Sequence, residues 1–140
     1  MRLLQRIIVH CSDSDIPEHD NIETIERWHR ARGFEKVGYH FFIRKDGEVQ
    51  KGREIEEIGA HCTGFNSDSI AICLSGRKEF RYYQFLTLHH LIAKLIAEHG
   101  SIIEIHGHRF YTNKKTCPNF DVDAFVIQYM PSFVNSLTAV

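Results

Sequence analysis

The sequence predicts an α/β fold, a single domain whose β-sheet is covered by helices. Three observations carry this expectation. Short β-branched runs, IIVH and SIAICL, read as buried strands, an aromatic stretch turns back on itself at Asp46-Gly47, and two longer segments repeat apolar residues at helical spacing. At 140 residues and 43% hydrophobic composition the chain can fill one core, whereas two domains would each be marginal.

The first strand is RIIVHC, β-branched and apolar up to His10 and Cys11. The polar SDSDIPEHD connects it to a helix over about 21–32, with Asp20 as the expected cap and Glu23 at the capping-box position. Ile22, Ile25 and Trp28 recur three residues apart in that helix, and Gly33 stops it. GYHFFIRKDGEVQKG reads as a hairpin: an aromatic strand containing Tyr39, a tight turn at Asp46-Gly47, and a short return strand. In a regular strand His40 points away from Tyr39, so packing or a hydrogen bond is its expected role.

SIAICL at 69–74 is a buried strand, and Phe85, Leu88, Ile92 and Leu95 mark one face of a helix over about 82–99 that ends before Gly100. SIIEIH is a further strand running into His106. DVDAFVIQYM closes the domain as a helix from about Asp121, limited by Pro131. The sequence contains no internal repeat, low-complexity tract or evident linker.

Lysine and arginine (17) nearly balance aspartate and glutamate (18), a formal charge of -1. Electrostatics therefore gives no general warrant for nucleic-acid or anionic-membrane binding. The four cysteines have no close repeated spacing, which argues against a disulfide scaffold or a Cys-x-x-Cys redox centre and leaves room for one disulfide. Gln5 and Arg6 interrupt the initial apolar run, so a strand is expected there rather than a signal peptide. No segment approaches bilayer-spanning length, and no integral membrane association is expected. The expectation is synthesis in the cytoplasm and a monomer in solution.

Ten histidines are many for this length, and at neutral pH they serve as ligands, proton carriers or hydrogen-bonded core residues. His10 falls at a strand end, while His108 and Cys117 lie on a late loop after another strand. If those strand ends are neighbours, two imidazoles and a thiolate converge around zinc with a fourth tetrahedral position left for water. Spacing alone does not choose between that reading and a buried cysteine beside surface histidines. Nor does it exclude Cys117 as a free nucleophile. His61 in GAHCTG either lines a groove or packs its loop, Cys11 and Cys62 are candidate spatial neighbours, and His89 and His90 give little reason to invoke metal.

Four motifs occur in order: IIVHCSDS, VGYHFFIRKDGEVQKGR, IGAHCTGFNSDSIAICLSG and GHRFYTNKKTCPNFD. Together they resemble the zinc-dependent N-acetylmuramoyl-L-alanine amidases of the phage-lysozyme and peptidoglycan-recognition-protein family. The resemblance covers nearly the whole chain, so residues 1–140 are expected to be one amidase domain with a mixed central sheet flanked by helices. It implies cleavage of the amide between N-acetylmuramic acid and the L-alanine of the peptidoglycan stem. By motif, His10, His108 and Cys117 match the zinc ligands, and Tyr39 in GYHF and Lys115 in KTCP match the residues flanking the reacting amide. His106 does not match the ligand position.

Two departures stand out. Phe110 occupies a position where an acidic residue is common, and the stretch from His108 to Cys117 is slightly longer than in the phage pattern, so Lys114 competes with Lys115. The resemblance implies peptidoglycan or muropeptides as the partner and action on the bacterial wall after release or export by another route, with a phage-type lytic protein as the preferred context. The alternative is a non-catalytic peptidoglycan-binding or regulatory module using the same fold. A peptidase cutting another amide is a third reading, because metal chemistry does not itself choose the bond.

Overall fold

The computed structural model describes residues 2–135. Its strands are β1 (Arg6–Cys11), β2 (Phe41–Ile43), β3 (Val49–Lys51), β4 (Ser69–Leu74) and β5 (Glu104–Gly107). They form one sheet in the order β3-β2-β4-β1-β5, in which β1 is parallel to both β4 and β5, β2 is parallel to β4, and only β3 runs antiparallel. The sheet is therefore mixed. Its helices are α1 (Ile22–Ala31), α2 (Tyr82–Glu98) and α3 (Val122–Tyr129).

The strand period of two sorts side chains onto two unequal faces. Ile7 and Val9 of β1 join Ile70, Ile72 and Leu74 of β4 in a core covered by Leu88, Ile92 and Leu95 of α2 and Phe125 and Val126 of α3. Full burial of such side chains contributes about 1.5–3 kcal/mol each, so this face supplies most of the apolar driving force. The opposite cluster is small: Ile22 and Ile25 of α1 with Val37, Phe42 and Cys73. His10, between Val9 and Cys11, turns toward this thinner side, where the sheet is only partly covered.

The hairpin forms as predicted, with Gly47 at φ +90 in the turn and Phe42 paired with Gln50. Gly33, at φ +96, ends α1, and the Phe34 amide returns to the His29 carbonyl at 3.0 Å. Three expectations are corrected. The cap of α1 is Asn21, whose Oδ1 accepts from the Thr24 amide at 2.9 Å; the carboxylate of Asp20 is taken instead by the Lys45 amide at 2.9 Å. Tyr39 lies just ahead of β2, although the His40 amide still bonds the Ala71 carbonyl. The last strand begins at Glu104, because the Ile102 amide is turned back to the His99 carbonyl.

One buried cation fastens the loops of the thin side. Arg6 is 3.1 Å from both Asp68 and Glu104, and its guanidinium lies under the rings of Phe65 and Tyr111 at 5.0 and 5.6 Å. The Tyr111 hydroxyl donates to Glu104 at 3.1 Å. The loop before β4 and the loop after β5 are thereby held against the same strand.

Candidate active site

A groove of about 1280 Å³ opens between α1 and those two loops. His10, Tyr39, His108, Lys115 and Cys117 all line it, although they come from four separate parts of the chain. β1 delivers His10 at its end, the parallel β5 runs directly into His108, and the following loop brings back Cys117. That loop is pinned: the Arg109 amide donates to the Cys117 carbonyl at 2.8 Å, and Asn119 Nδ2 to the Arg77 carbonyl at 2.9 Å. Gly107 is small for a reason, since a Cβ there would fall 2.7 Å from Pro118 Cδ.

One donor atom from each of His10, His108 and Cys117 lies within 4.8 Å of the other two. A tetrahedral zinc with bonds of about 2.0–2.3 Å needs ligand separations near 3.5 Å, so modest side-chain rotation closes this trio around an ion. Two imidazoles and a thiol are a suitable donor set for zinc, and three protein ligands leave a fourth position. The residues present fit the metal.

The electrostatics of the trio are those of neutral ligands. Burial, reinforced by His61 and His108, holds His10 well below the usual imidazole range. His108 is lowered by burial and then by the charge of Lys115. Both rings are therefore neutral at pH 7, as metal ligation requires. The Cys117 thiol is pushed up by its hydrogen bond with Cys11 and then by burial, and its sulfur accepts the Cys11 amide at 3.2 Å. All four cysteines are free, and the thiol beside Cys11 is that of Cys117.

Tyr39 packs on His10 with ring centroids 4.9 Å apart. Burial, and then the neighbouring Cys73, Cys117 and Cys11, push its phenol well above the ordinary tyrosine value, so it remains a protonated donor. Lys114 and Lys115 both line the groove, but it is Lys115 whose charge acts on His108. His106 lies apart from the trio: Phe110 stacks on it at 3.6 Å and its Nδ1 is 3.0 Å from Asp123. Phe110 thus serves His106 rather than the groove. His89 is half-buried and His90 exposed on α2, away from the groove lining.

Three further residues line the groove: His61, for which the sequence leaves groove lining and loop packing open, Trp28, which the helical period assigns to the core, and His29, which no local signal marks. His61 Nδ1 is 2.9 Å from His10 Nε2, a contact between residues 51 apart. His29, buried on α1, accepts the Gly38 amide at 2.8 Å and packs against the Tyr39 ring, which holds the loop carrying Tyr39. Trp28 follows the apolar period of α1, yet it remains 37% exposed and forms part of the groove wall. Periodicity alone assigns it to the core; only the absence of cover on this side of the sheet shows otherwise.

The family model for N-acetylmuramoyl-L-alanine amidase matches residues 2–120. The endolysin of Enterobacteria phage T3 is 34% identical over 127 residues, covering 84% of this chain and 82% of its own length. The endolysin of Escherichia phage T7 is 34% identical over 125 residues, with coverage of 83% and 81%. Among solved structures, N-acetylmuramoyl-L-alanine amidase LysC from Clostridium intestinale URNW superposes with a TM-score of 0.81 at 25% identity, covering 91% of this chain and 85% of that one. A family match across most of the chain, joined to relatives of this identity and coverage on the same fold, establishes that the chain belongs to the N-acetylmuramoyl-L-alanine amidase family of enzymes.

Proposed function

We propose that residues 1–140 form one zinc-dependent amidase domain that hydrolyses the amide between N-acetylmuramic acid and the L-alanine of the peptidoglycan stem, acting on the bacterial cell wall. The observation that carries the zinc dependence is the convergence of donor atoms from His10, His108 and Cys117 within 4.8 Å at a groove. The bond and the substrate rest on the family and on the endolysin relatives. The groove is large enough for part of a glycopeptide, and its walls mix the aromatic Trp28 with the polar Asn66 and the cationic Arg32 and Lys115.

His10, His108 and Cys117 hold the ion in this reading, and the chemistry it supplies when bound is polarisation of the scissile carbonyl and activation of water for attack. The remaining roles belong to the chain itself. Lys115 places a positive charge beside the trio, where negative charge develops on the carbonyl oxygen. Tyr39, kept protonated by burial, donates a hydrogen bond to the water or to that oxygen. The loop held by His29 keeps the phenol in place, and the Arg6 anchor keeps the facing wall from drifting.

The experiment is mass spectrometry of defined muropeptides incubated with metal-free protein, with and without zinc. The expected products are a free glycan and an intact stem beginning with L-alanine, formed only when zinc is restored. Shortened stems would replace this reading with a peptidase. Saturable binding without cleavage by folded, zinc-loaded protein would replace it with a recognition module.

A further inference from the structure

We propose that His61 is a positioning residue for the metal centre: with Ser69 it fixes the ring orientation and tautomer of His10, so that His10 offers its Nδ1 to the metal. The inference rests on the zinc-centre reading above and adds a residue and an atom to it.

Three groups form a line, with His61 half-buried between the buried His10 and Ser69. His10 Nε2 is 2.9 Å from His61 Nδ1, and His61 Nε2 is 3.0 Å from Ser69 Oγ. His10 and Ser69 are each at most 1% exposed. The two rings meet edge to face, with centroids 4.9 Å apart and planes at 81°. The backbone of His61 is fixed as well, because Asn66 Oδ1 accepts from the amides of both His61 and Cys62 at 2.9 Å.

Proton counting then gives the line a direction. A neutral imidazole carries one N–H and one lone pair. In one arrangement Ser69 donates to His61 Nε2 and His61 Nδ1–H donates to His10 Nε2. That leaves the proton of His10 on Nδ1, and His10 then has no lone pair for a cation. In the other, His10 Nε2–H donates to His61 Nδ1 and His61 Nε2–H donates to Ser69 Oγ. Only this second arrangement frees the Nδ1 lone pair. A metal ion therefore selects it, and the chain of hydrogen bonds in turn holds the ring in its ligating orientation. The partner of a ligating histidine's second nitrogen generally sets both tautomer and ring orientation; here that partner is another histidine, itself held by a serine.

The competing account is that His61 only packs its loop. A packing role alters the stability of the metal-free protein without selectively changing its hold on metal. Zinc affinity, measured by competition with a chromophoric chelator, separates the two. His61→Ala is expected to weaken zinc binding about 10- to 100-fold. His61→Asn, whose Oδ1 can take the place of the lost Nδ1 acceptor, is expected to restore most of it. Equal affinity in wild type and His61→Ala overturns the inference while leaving the metal centre standing. Failure of the folded wild type to bind zinc overturns the metal centre and this inference with it. The tautomer is read independently, from imidazole nitrogen NMR of zinc-loaded wild type, which needs no variant to fold. Coordination of His10 through Nδ1 with the proton on Nε2 is expected, and coordination through Nε2 overturns the proposal.

Discussion

The backbone amide of Cys11 donates to the sulfur of Cys117 at 3.2 Å, joining the end of the first strand to a loop 106 residues later. The contact supplies a donor to a sulfur that must become a thiolate to bind zinc. Without metal, hydrogen bonding with Cys11 and burial keep that thiol protonated, whereas His10 and His108 are already neutral. Zinc binding should therefore release about one proton, from Cys117, and the apparent zinc affinity should rise about tenfold per pH unit between pH 6 and 8. Chelator competition at several pH values measures the slope. A flat response would remove Cys117 from the ligand set, as would stoichiometric zinc retained by Cys117→Ser.

Lys114 and Lys115 are adjacent, and both line the groove, but only Lys115 is among the causes that lower His108. Lys115→Met is expected to reduce kcat on the order of 10²-fold with little change in zinc content, the scale seen when one group stabilising an oxyanion is removed. Lys114→Met is expected to stay within a few-fold of wild type, on the usual behaviour of solvated loop lysines. Single-turnover kinetics on a soluble muropeptide gives both numbers. The reverse ranking would exchange the two assignments.

Much of the fold was legible because it depends on local pattern. The period of two in RIIVHC sends Ile7 and Val9 into the larger core, and Asp46-Gly47 sets the hairpin turn. The cap of α1 was not legible, because Asp20 and Asn21 are equally good caps in isolation and the choice is made by Lys45, which engages Asp20 from the hairpin. Motif resemblance alone proposes His10, His108 and Cys117 as metal ligands, while their convergence follows from β5 lying parallel beside β1. The His10–His61 contact was illegible for the same kind of reason: it requires β4 to pair with β1, a sheet order that no local signal specifies.

Gly107 controls where Cys117 can sit. A Cβ at this position would come within 2.7 Å of Pro118 Cδ and 3.2 Å of Val122 Cγ2, and a proline ring cannot swing aside as a long side chain does. Gly107→Ala is expected to cost about 1–3 kcal/mol of stability, as overpacking does, and to weaken zinc binding by displacing the residue before Pro118. Gly100→Ala is the control, because nothing lies within 4 Å of a Cβ there. Thermal unfolding and zinc titration of the two variants make the comparison, and equal behaviour would show that the loop accommodates the methyl group.

Stability should fall as the solution is acidified, well before most carboxylates titrate. His40 is completely buried, with Nδ1 accepting the Ala71 amide at 3.0 Å and Nε2 2.8 Å from the Glu57 carbonyl. Burial lowers His40 to about 4, and burial, followed by Arg32 and Arg53, lowers His29 to about 4. Neither belongs to the proposed ligand trio of His10, His108 and Cys117. Because both folded-state values lie below the unfolded value of about 6.5, the unfolded chain binds more protons between them. The stabilisation from keeping these rings neutral is complete above about pH 7 and is lost as pH falls through 6.5 toward 4. Each histidine accounts for a loss of about 2 kcal/mol between pH 7 and pH 5, and in metal-free protein His10 and His61 add losses of the same sign. Against a typical total of about 5–15 kcal/mol, that is a large fraction. Urea unfolding of metal-free protein at pH 7, 6 and 5 measures it; a stability unchanged across that range would mean that His29 and His40 accept protons in the folded state as readily as in the unfolded one.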